Sequence, residues 1–294
     1  MLDEQFYQEH KPLLFSIAYR MTGTITESED IIHDVLLDFE RTNYDKIENT
    51  KAYLCKMVTN RSIDYLKSAR KQREVYIGPW LPEPLIIHES DPMHAVIVQD
   101  NLSYALLSLM EQLSPVERAV FVLREAFGYE YDDIASILEK EEANCRKIIS
   151  RAKKKLDYKD NVNDLHVNQE NLQQLVQSFL RAATTGNVEN LLSLLANDSV
   201  LYSDGGGKVK AAIVPIKTKE RVSQFILGLV RKFGQDAQLE IEIVNVNGQI
   251  GILINRNHKP ENVICFELEN NQITQIFSIR NPEKLTYAIS GYQL

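Results

Sequence analysis

Apolar residues recur every three to four positions through the first half of the chain. Phe6, Leu13, Leu14, Ile17 and Ala18 share one helical arc. Thr26 with Glu29 three residues on has the capping-box form and predicts a helix start. The stripe Ile31, Ile32, Val35, Leu36 and Phe39 follows it. Thr50 is placed to cap a third helix carrying Tyr53, Leu54, Met57, Val58, Ile63 and Leu66. Pro79, Pro82, Pro84 and Pro92 then oppose continuous helix and predict an extended connection. Trp80 and Leu81 carry too much apolar area for a free linker, so this connection is expected to dock on something. Helical spacing returns with Leu102, Leu106, Leu109 and Leu113. Ser114, Pro115 and Glu117 together give three start signals for the next helix, and Gly128 predicts its end. A short helix around Asp132–Leu138 and another from about Glu142 complete the segment, before a polar run from Asp157 to Asn171.

The last segment begins with helical patterns at Leu172–Ala183, Val188–Leu195 and Thr218–Phe233. The period then changes to two: Leu239, Ile241 and Ile243 alternate with polar residues. Asn247–Gly248 marks a tight turn before Gly251–Asn255. Val263–Leu268, a turn at Asn270–Asn271 and Ile273–Ile279 extend the pattern into an antiparallel meander. Helices followed by a sheet indicate an α+β domain, and no internal repeat is present.

At 294 residues, with 44% hydrophobic and 25% charged side chains, the chain has room for two or three cores of ordinary globular composition. A net charge of −8 at first argues against nucleic acid, but the charge is unevenly spread. Residues 1–50 hold 11 acidic and 4 basic side chains, whereas 61–75 hold 5 basic and 2 acidic, and 142–159 hold 7 basic and 2 acidic. Two small basic patches therefore sit inside an acidic protein. Cys55, Cys145 and Cys265 have neither zinc-binding nor disulfide-framework spacing, so no metal is expected. No basic-then-apolar leader and no apolar run approaching 18 residues is present. A soluble cytoplasmic protein without membrane contact is the expectation.

Asp132–Leu156 is the stronger of the basic constellations. Cys145, Ile148, Ile149, Ala152 and Leu156 fall on one apolar arc of the last helix, while Lys147, Ser150, Arg151 and Lys154 face the other way. After a short helix and turn, this is a helix-turn-helix whose basic face can reach phosphates or base edges. A solvated lysine-rich face gives the same pattern. The other cluster, Arg61, Lys67, Arg70, Lys71 and Arg73 around Asn60 and Asp64, lies near Phe39, Tyr44, Tyr53 and Tyr65. Positive charge beside aromatic rings suits unpaired bases, while core packing accounts for each ring singly. Asn60 and Asp64 are helical neighbours that could simply bond each other.

Four stretches occur in continuous order: RMTGTITESEDIIHDVLLDF (Arg20–Phe39), AYLCKMVTNRSIDYLKSARKQRE (Ala52–Glu74), LSPVERAVFVLREAFGYEYDDIASIL (Leu113–Leu138) and ISRAKKKL (Ile149–Leu156). Through them residues 5–75 resemble region 2, and 98–157 region 4, of the extracytoplasmic-function sigma factors. The resemblance implies core RNA polymerase and promoter DNA as partners. It implies docking on the polymerase through the helix carrying Glu29, Asp30, Asp34 and Asp38. The loop near Thr42–Ile47 and the following helix, with Asn60, Arg61, Asp64, Arg70 and Lys71, would take the melted −10 element. Lys147, Ser150, Arg151 and Lys154 would serve the −35 element. Lys67 stands where arginine is common, which keeps charge but loses the bidentate fork.

The chain also resembles a subgroup with a fused SnoaL-like domain, through GPWLPEP (Gly78–Pro84), DGGGK (Asp204–Lys208) and NPEKL (Asn281–Leu285). That subgroup implies an α+β cone around a pocket, used as an attached regulator. The regulatory candidates are Trp80, Leu81, Pro82, Asp204, Gly205, Gly206, Gly207, Lys208, Asn281, Pro282, Glu283 and Lys284. They would act through an intramolecular contact between the C-terminal and sigma domains. Glu283 stands where aspartate is common, and Glu283 and Lys284 are both expected near a surface. The triple glycine lacks phosphate-loop spacing, and nothing specifies a cofactor. Catalysis would need an isolated acid of raised pKa beside an oxyanion donor, a geometry beyond sequence, and no enzyme activity is expected. The expected division is 1–75 for region 2, 76–95 for a proline-rich linker, 96–158 for region 4, 159–168 for a second linker and 169–294 for the SnoaL-like domain. The competing reading is a helix-turn-helix regulator with a ligand-sensing or enzymatic SnoaL-like domain, in which the cone takes a small molecule.

Overall fold

Helices α1 (Glu4–Thr22), α2 (Ile25–Glu40) and α3 (Thr50–Arg73) pack together and bury the stripes that their spacing predicts. Ile31, Ile32, Val35, Leu36 and Phe39 all lie in the core beside Leu14, Ile17, Ala18, Leu54 and Val58. The computed structural model describes residues 4–41, 47, 49–73, 75–86, 103–158, 169–233 and 238–286. Two helix starts differ from the expectation. Helix α2 begins at Ile25 after extended Thr24, so Thr26 sits inside the first turn. There Thr22 Oγ1 accepts from Thr24 N at 3.2 Å, and Ser28 Oγ donates to Thr24 O at 2.6 Å. Helix α3 is capped by Asn49, whose Oδ1 accepts from Ala52 N at 3.0 Å, and Thr50 is already helical. At α3 the Asn49 side chain satisfies a free first-turn amide, whereas Thr24 caps α2 by its extended backbone alone, with no side-chain cap bond.

Helix α4 (Tyr104–Leu109) leads through a 3₁₀ turn (Met110–Gln112) into α5 (Pro115–Phe121). The capping box is complete: Ser114 Oγ accepts from Glu117 N, and Glu117 Oε2 accepts from Ser114 N at 2.9 Å. A π-helical turn (Val122–Ala126) follows, and Gly128, at φ +66°, ends the run as expected. Helices α6 (Tyr131–Leu138) and α7 (Glu142–Lys155) complete this part. Residues 4–75 and 106–158 form one compact unit.

The other unit comprises residues 76–86, 103–105 and 169–286. Helices α8 (Gln169–Thr185) and α9 (Val188–Leu194) precede β1 (Leu195–Asp204), β2 (Ile216–Lys217) and α10 (Lys219–Phe233). Strands β3 (Leu239–Val246), β4 (Gln249–Arg256), β5 (Lys259–Glu269) and β6 (Gln272–Ile279) form the expected meander. The six-stranded order is β2-β1-β6-β5-β4-β3, with β1 parallel to β6. Strand β1 was not anticipated: its exposed Asn197 and Asp198 interrupt alternation, and the register shifts there. Both Asn247 (φ +54°) and Gly248 (φ +81°) are left-handed, as a tight two-residue hairpin turn requires.

Alternation along the strands divides the sheet between two apolar clusters. Ile252, Phe266, Leu201 and Ile276 pack under helices α8–α10 with Val176, Phe179, Leu191 and Val222. Leu253, Val263, Cys265, Phe277 and Ile279 face the other way and are covered by Leu81, Ile86, Tyr104 and Leu285. The proline-rich connection is thus part of this unit's core. Leu81 through Ile86 are all buried, and Ile86 bridges Val246 on the edge strand.

Candidate functional site

The basic helix α7 sorts its cations into two sets. Glu139, in the left-handed conformation at φ 52°, turns the chain between α6 and α7. Cys145, Ile149 and Ala152 fix the buried face of α7. Arg146 is tied to Glu142 at 2.5 Å and lies over the Tyr131 ring at 4.2 Å. Lys153 pairs with Glu125 at 3.0 Å and Lys155 with Glu117 at 2.6 Å. Lys147, Ser150, Arg151 and Lys154 are exposed, and none of their side chains bonds or pairs with a described residue.

On α3, Arg61 and Asp64 are exposed and Asn60 is half-buried. Asp64 meets Lys67 at 2.8 Å, while Arg61 reaches Asp38 of α2 at 2.5 Å. One residue expected at promoter DNA therefore pairs with one expected at the polymerase. Asp30 and Asp34 are exposed on α2, and Glu29 is half-buried. The Arg70 and Lys71 side chains, and residues 42–46 of the expected base-capturing loop, lie outside the described residues.

The first unit also contains a partly buried ionic node, centred on buried Arg118, that the sequence did not reveal. The Glu111 carboxylate takes both Arg73 and Arg118. Arg73 also donates to Thr22 O at 2.8 Å, and Arg118 Nε to Arg20 O at 3.0 Å. Burial pulls Arg118 down to about 9, so it still carries its charge at neutral pH. Elsewhere in this unit, Lys56 pairs with Glu139 at 2.8 Å and Tyr129 donates to Cys55 Sγ at 3.2 Å.

In the second unit the three unusual motifs meet on one carboxylate. Asp204, fully buried at the end of β1, accepts at Oδ1 from Tyr76 OH (2.6 Å) and Gly206 N (3.0 Å). Its Oδ2 accepts from Leu81 N (2.9 Å) and Lys284 Nζ (2.7 Å). Lys284 also donates to Leu81 O at 2.5 Å and lies 4.0 Å from the Trp80 ring centroid. Burial, then the Asp204 hydrogen bond and charge, raise the Tyr76 phenol and keep it a donor. Asn281 Nδ2 donates to the same Tyr76 oxygen at 2.9 Å. The glycines are required sterically. A Cβ on Gly206 would stand 2.4 Å from Asn281 Nδ2, and one on Gly207 2.8 Å from Ile77 Cδ1, both at positive φ. The expectation that Lys284 lies near a surface is corrected, because it is buried against Asp204. Glu283 is exposed and pairs with Lys208, so it matches that expectation; Pro282 is exposed too. Pro82 is buried, and its carbonyl accepts from Tyr104 OH at 2.6 Å. Asn247 grips the connection at Leu85, accepting from Leu85 N at 3.1 Å and donating its own N–H to Leu85 O at 2.8 Å. Among the described residues no cluster of His, Cys, Asp or Glu could hold a metal ion, and no helix is long and apolar enough to cross a membrane.

Residues 6–72 match the sigma-70 region 2 family and residues 103–156 match sigma-70 region 4. Along 93% of its length the chain is 29% identical to the ECF RNA polymerase sigma factor SigJ of Mycobacterium tuberculosis, covering 90% of that protein. The crystal structure of SigJ superposes with a TM-score of 0.79 at 26% identity, covering 97% of this chain and 98% of that one. The chain is an extracytoplasmic-function sigma factor. It is 28% identical over 95% of its length to the probable ECF sigma factor SigI of the same species, 93% of which is covered. Promoter-directed initiation with RNA polymerase is its function, and the competing reading of a helix-turn-helix regulator with a ligand-sensing or enzymatic SnoaL-like domain is not favoured. Sequence reasoning on this sigma factor missed Tyr76, Asn247 and Glu111. An aromatic beside the glycine-proline run was the only signal available for Tyr76, and Asn247 was read only as a turn former.

Proposed function

We propose that this sigma factor grips the −35 element with the outward face of α7, engages the melted −10 element through α3, and docks on core polymerase through Asp30 and Asp34 with Glu29 and Asp38. The observation that carries this reading is the division of cations on α7. Arg146, Lys153 and Lys155 are tied within the fold, whereas Lys147, Arg151 and Lys154 project without a described partner and are available to phosphates. Replacing these three with alanine should weaken promoter binding by the reconstituted holoenzyme while sparing assembly with core polymerase. Each lost phosphate contact lowers the log–log salt slope by roughly 0.9. An unchanged affinity and slope in a folded variant refutes the assignment.

The C-terminal unit acts on initiation by holding the connection that precedes region 4, and so regulates through an intramolecular contact. Support comes from Asp204, which ties residues 76, 81, 206 and 284 to one carboxylate. The same geometry opposes catalysis at this residue: both oxygens are fully engaged and buried, with no face turned to a substrate. The sigma factor works in the cytoplasm, where polymerase is. A second reading, a small molecule inside the cone, is favoured by Ser199 and Ser223. Their hydroxyls are buried without a hydrogen-bond partner among the described residues. Native mass spectrometry of the full chain tests this, and an apo mass alone after gentle purification counts against it.

A further inference from the structure

The recognition helix carries a polar group that the phosphate-binding cations do not explain. Asn144 is the third residue of α7, is exposed, and uses its backbone N–H to bond Glu141 O at 2.9 Å. Its carboxamide bonds no described residue, so it neither caps the helix nor braces the fold. At 100° per residue Asn144 and Arg151 lie on the same flank of α7, and Lys147 stands between them. The rise of 1.5 Å per residue places Asn144 about 10 Å nearer the helix start than Arg151. That separation is close to the width of the B-DNA major groove, roughly 12 Å. A helix that enters the groove by its N-terminus therefore brings Asn144 to base edges when Arg151 and Lys154 are at the phosphates.

We propose that Asn144 is a sequence-reading residue of this sigma factor, and that the base it reads in the −35 element is an adenine. This rests on α7 being the −35 interface. The chemistry follows from the side chain. A carboxamide offers one acceptor and a donor in one plane, matching the N6–H donor and N7 acceptor that adenine shows in the major groove. Lys147, a flexible point charge with donors only, cannot make that distinction. Glu142, which could accept from cytosine, is held by Arg146 at 2.5 Å. Ala143 is exposed beside Asn144 and leaves space for the carboxamide to lie flat against a base pair.

The test uses the full chain with core polymerase and a promoter library randomised across the −35 element, scored by bound or transcribed sequence. The parent should show an adenine preference at one position that Asn144→Ala lowers roughly 5- to 150-fold, with the salt slope unchanged. Asn144→Arg should move the preference at that position to guanine, an outcome that misfolding cannot imitate. Base profiles that coincide for the parent, Asn144→Ala and Asn144→Arg overturn the proposal. The Lys147, Arg151 and Lys154 alanine variant in the same library separates the two failures. If that variant binds normally, α7 is not the interface. If it weakens all sequences while the Asn144 profiles coincide, only the reading role falls.

Discussion

Cutting the Asp204–Lys284 pair should cost the second unit more than almost any other single change. The Asp204 side chain has 0% exposure and that of Lys284 7%, so neither charge can recover water if its partner is removed. Asp204→Asn keeps an acceptor for Tyr76 and Gly206 but turns an amide toward Leu81 N and the Lys284 ammonium, both donors. The ammonium then keeps Leu81 O and the Trp80 and Tyr76 rings, at 4.0 and 5.0 Å, but loses the carboxylate charge that faces it. Breaking one side of such a pair costs about 3–5 kcal/mol, a large share of a typical domain stability of roughly 5–15 kcal/mol. Lys284→Met preserves packing on Trp80 and removes the ammonium, and it should cost a similar amount. In the double variant no charge is left stranded, so its loss should fall short of the sum by about 1–3 kcal/mol. Trp80 is the only tryptophan of the chain, so its fluorescence in a urea titration reports this site directly. A folded Asp204→Asn variant within about 1 kcal/mol of the parent, or strictly additive losses, would refute the reasoning.

Three further outcomes follow from the same geometry. Burial raises Glu267 to about 7 against the lowering effect of its Ser103 hydrogen bond, so the fold favours its protonated form. Its contribution is then complete below about 4.5 and is lost as pH rises to about 7; Glu267→Gln should flatten that slope and stabilise most above neutral pH, read as melting temperature against pH. Asn247→Gly keeps the positive φ and the backbone bond to Leu85 while deleting the Oδ1 acceptor, and should cost about 1 kcal/mol in the urea titration; no change would mean that the side chain is idle. Glu111→Gln should speed amide exchange in α3 and α5 together, because Arg73 and Arg118 lose one shared partner, whereas exchange confined to one helix argues against a common node.

What the sequence discloses is what neighbouring residues decide among themselves. The stripe from Ile31 to Phe39, the Ser114–Glu117 box and the Asn247–Gly248 turn are local, and each stands where periodicity or turn chemistry puts it. The same holds for the outward arc of α7, since its buried face is written in Cys145, Ile149 and Ala152. Locality also explains the misplaced caps. Thr24 and Asn49 each lie within two residues of the expected positions, Thr26 and Thr50, and polar residues crowd both helix starts.

The remainder is non-local, and the second unit shows why it was hidden. Strand β1 is recognisable only beside β6, its parallel partner some seventy residues on, because its own pattern is broken at Asn197 and Asp198. A lysine five residues past the last strand reads as a surface charge, and the identity of Lys284 offers no reason to bury it. The reason is Asp204, eighty positions earlier, together with the carbonyl of Leu81 and the ring of Trp80. This has a consequence for dissecting the chain. Cutting after residue 168 leaves Leu81–Ile86 attached to the first unit but strips away the sheet face that buries them. Such a truncation exposes a new apolar segment as well as removing a regulator, and its activity would mix the two effects. Point changes at Asp204 or Lys284, each with its urea profile, keep the sheet in place and isolate the contact itself.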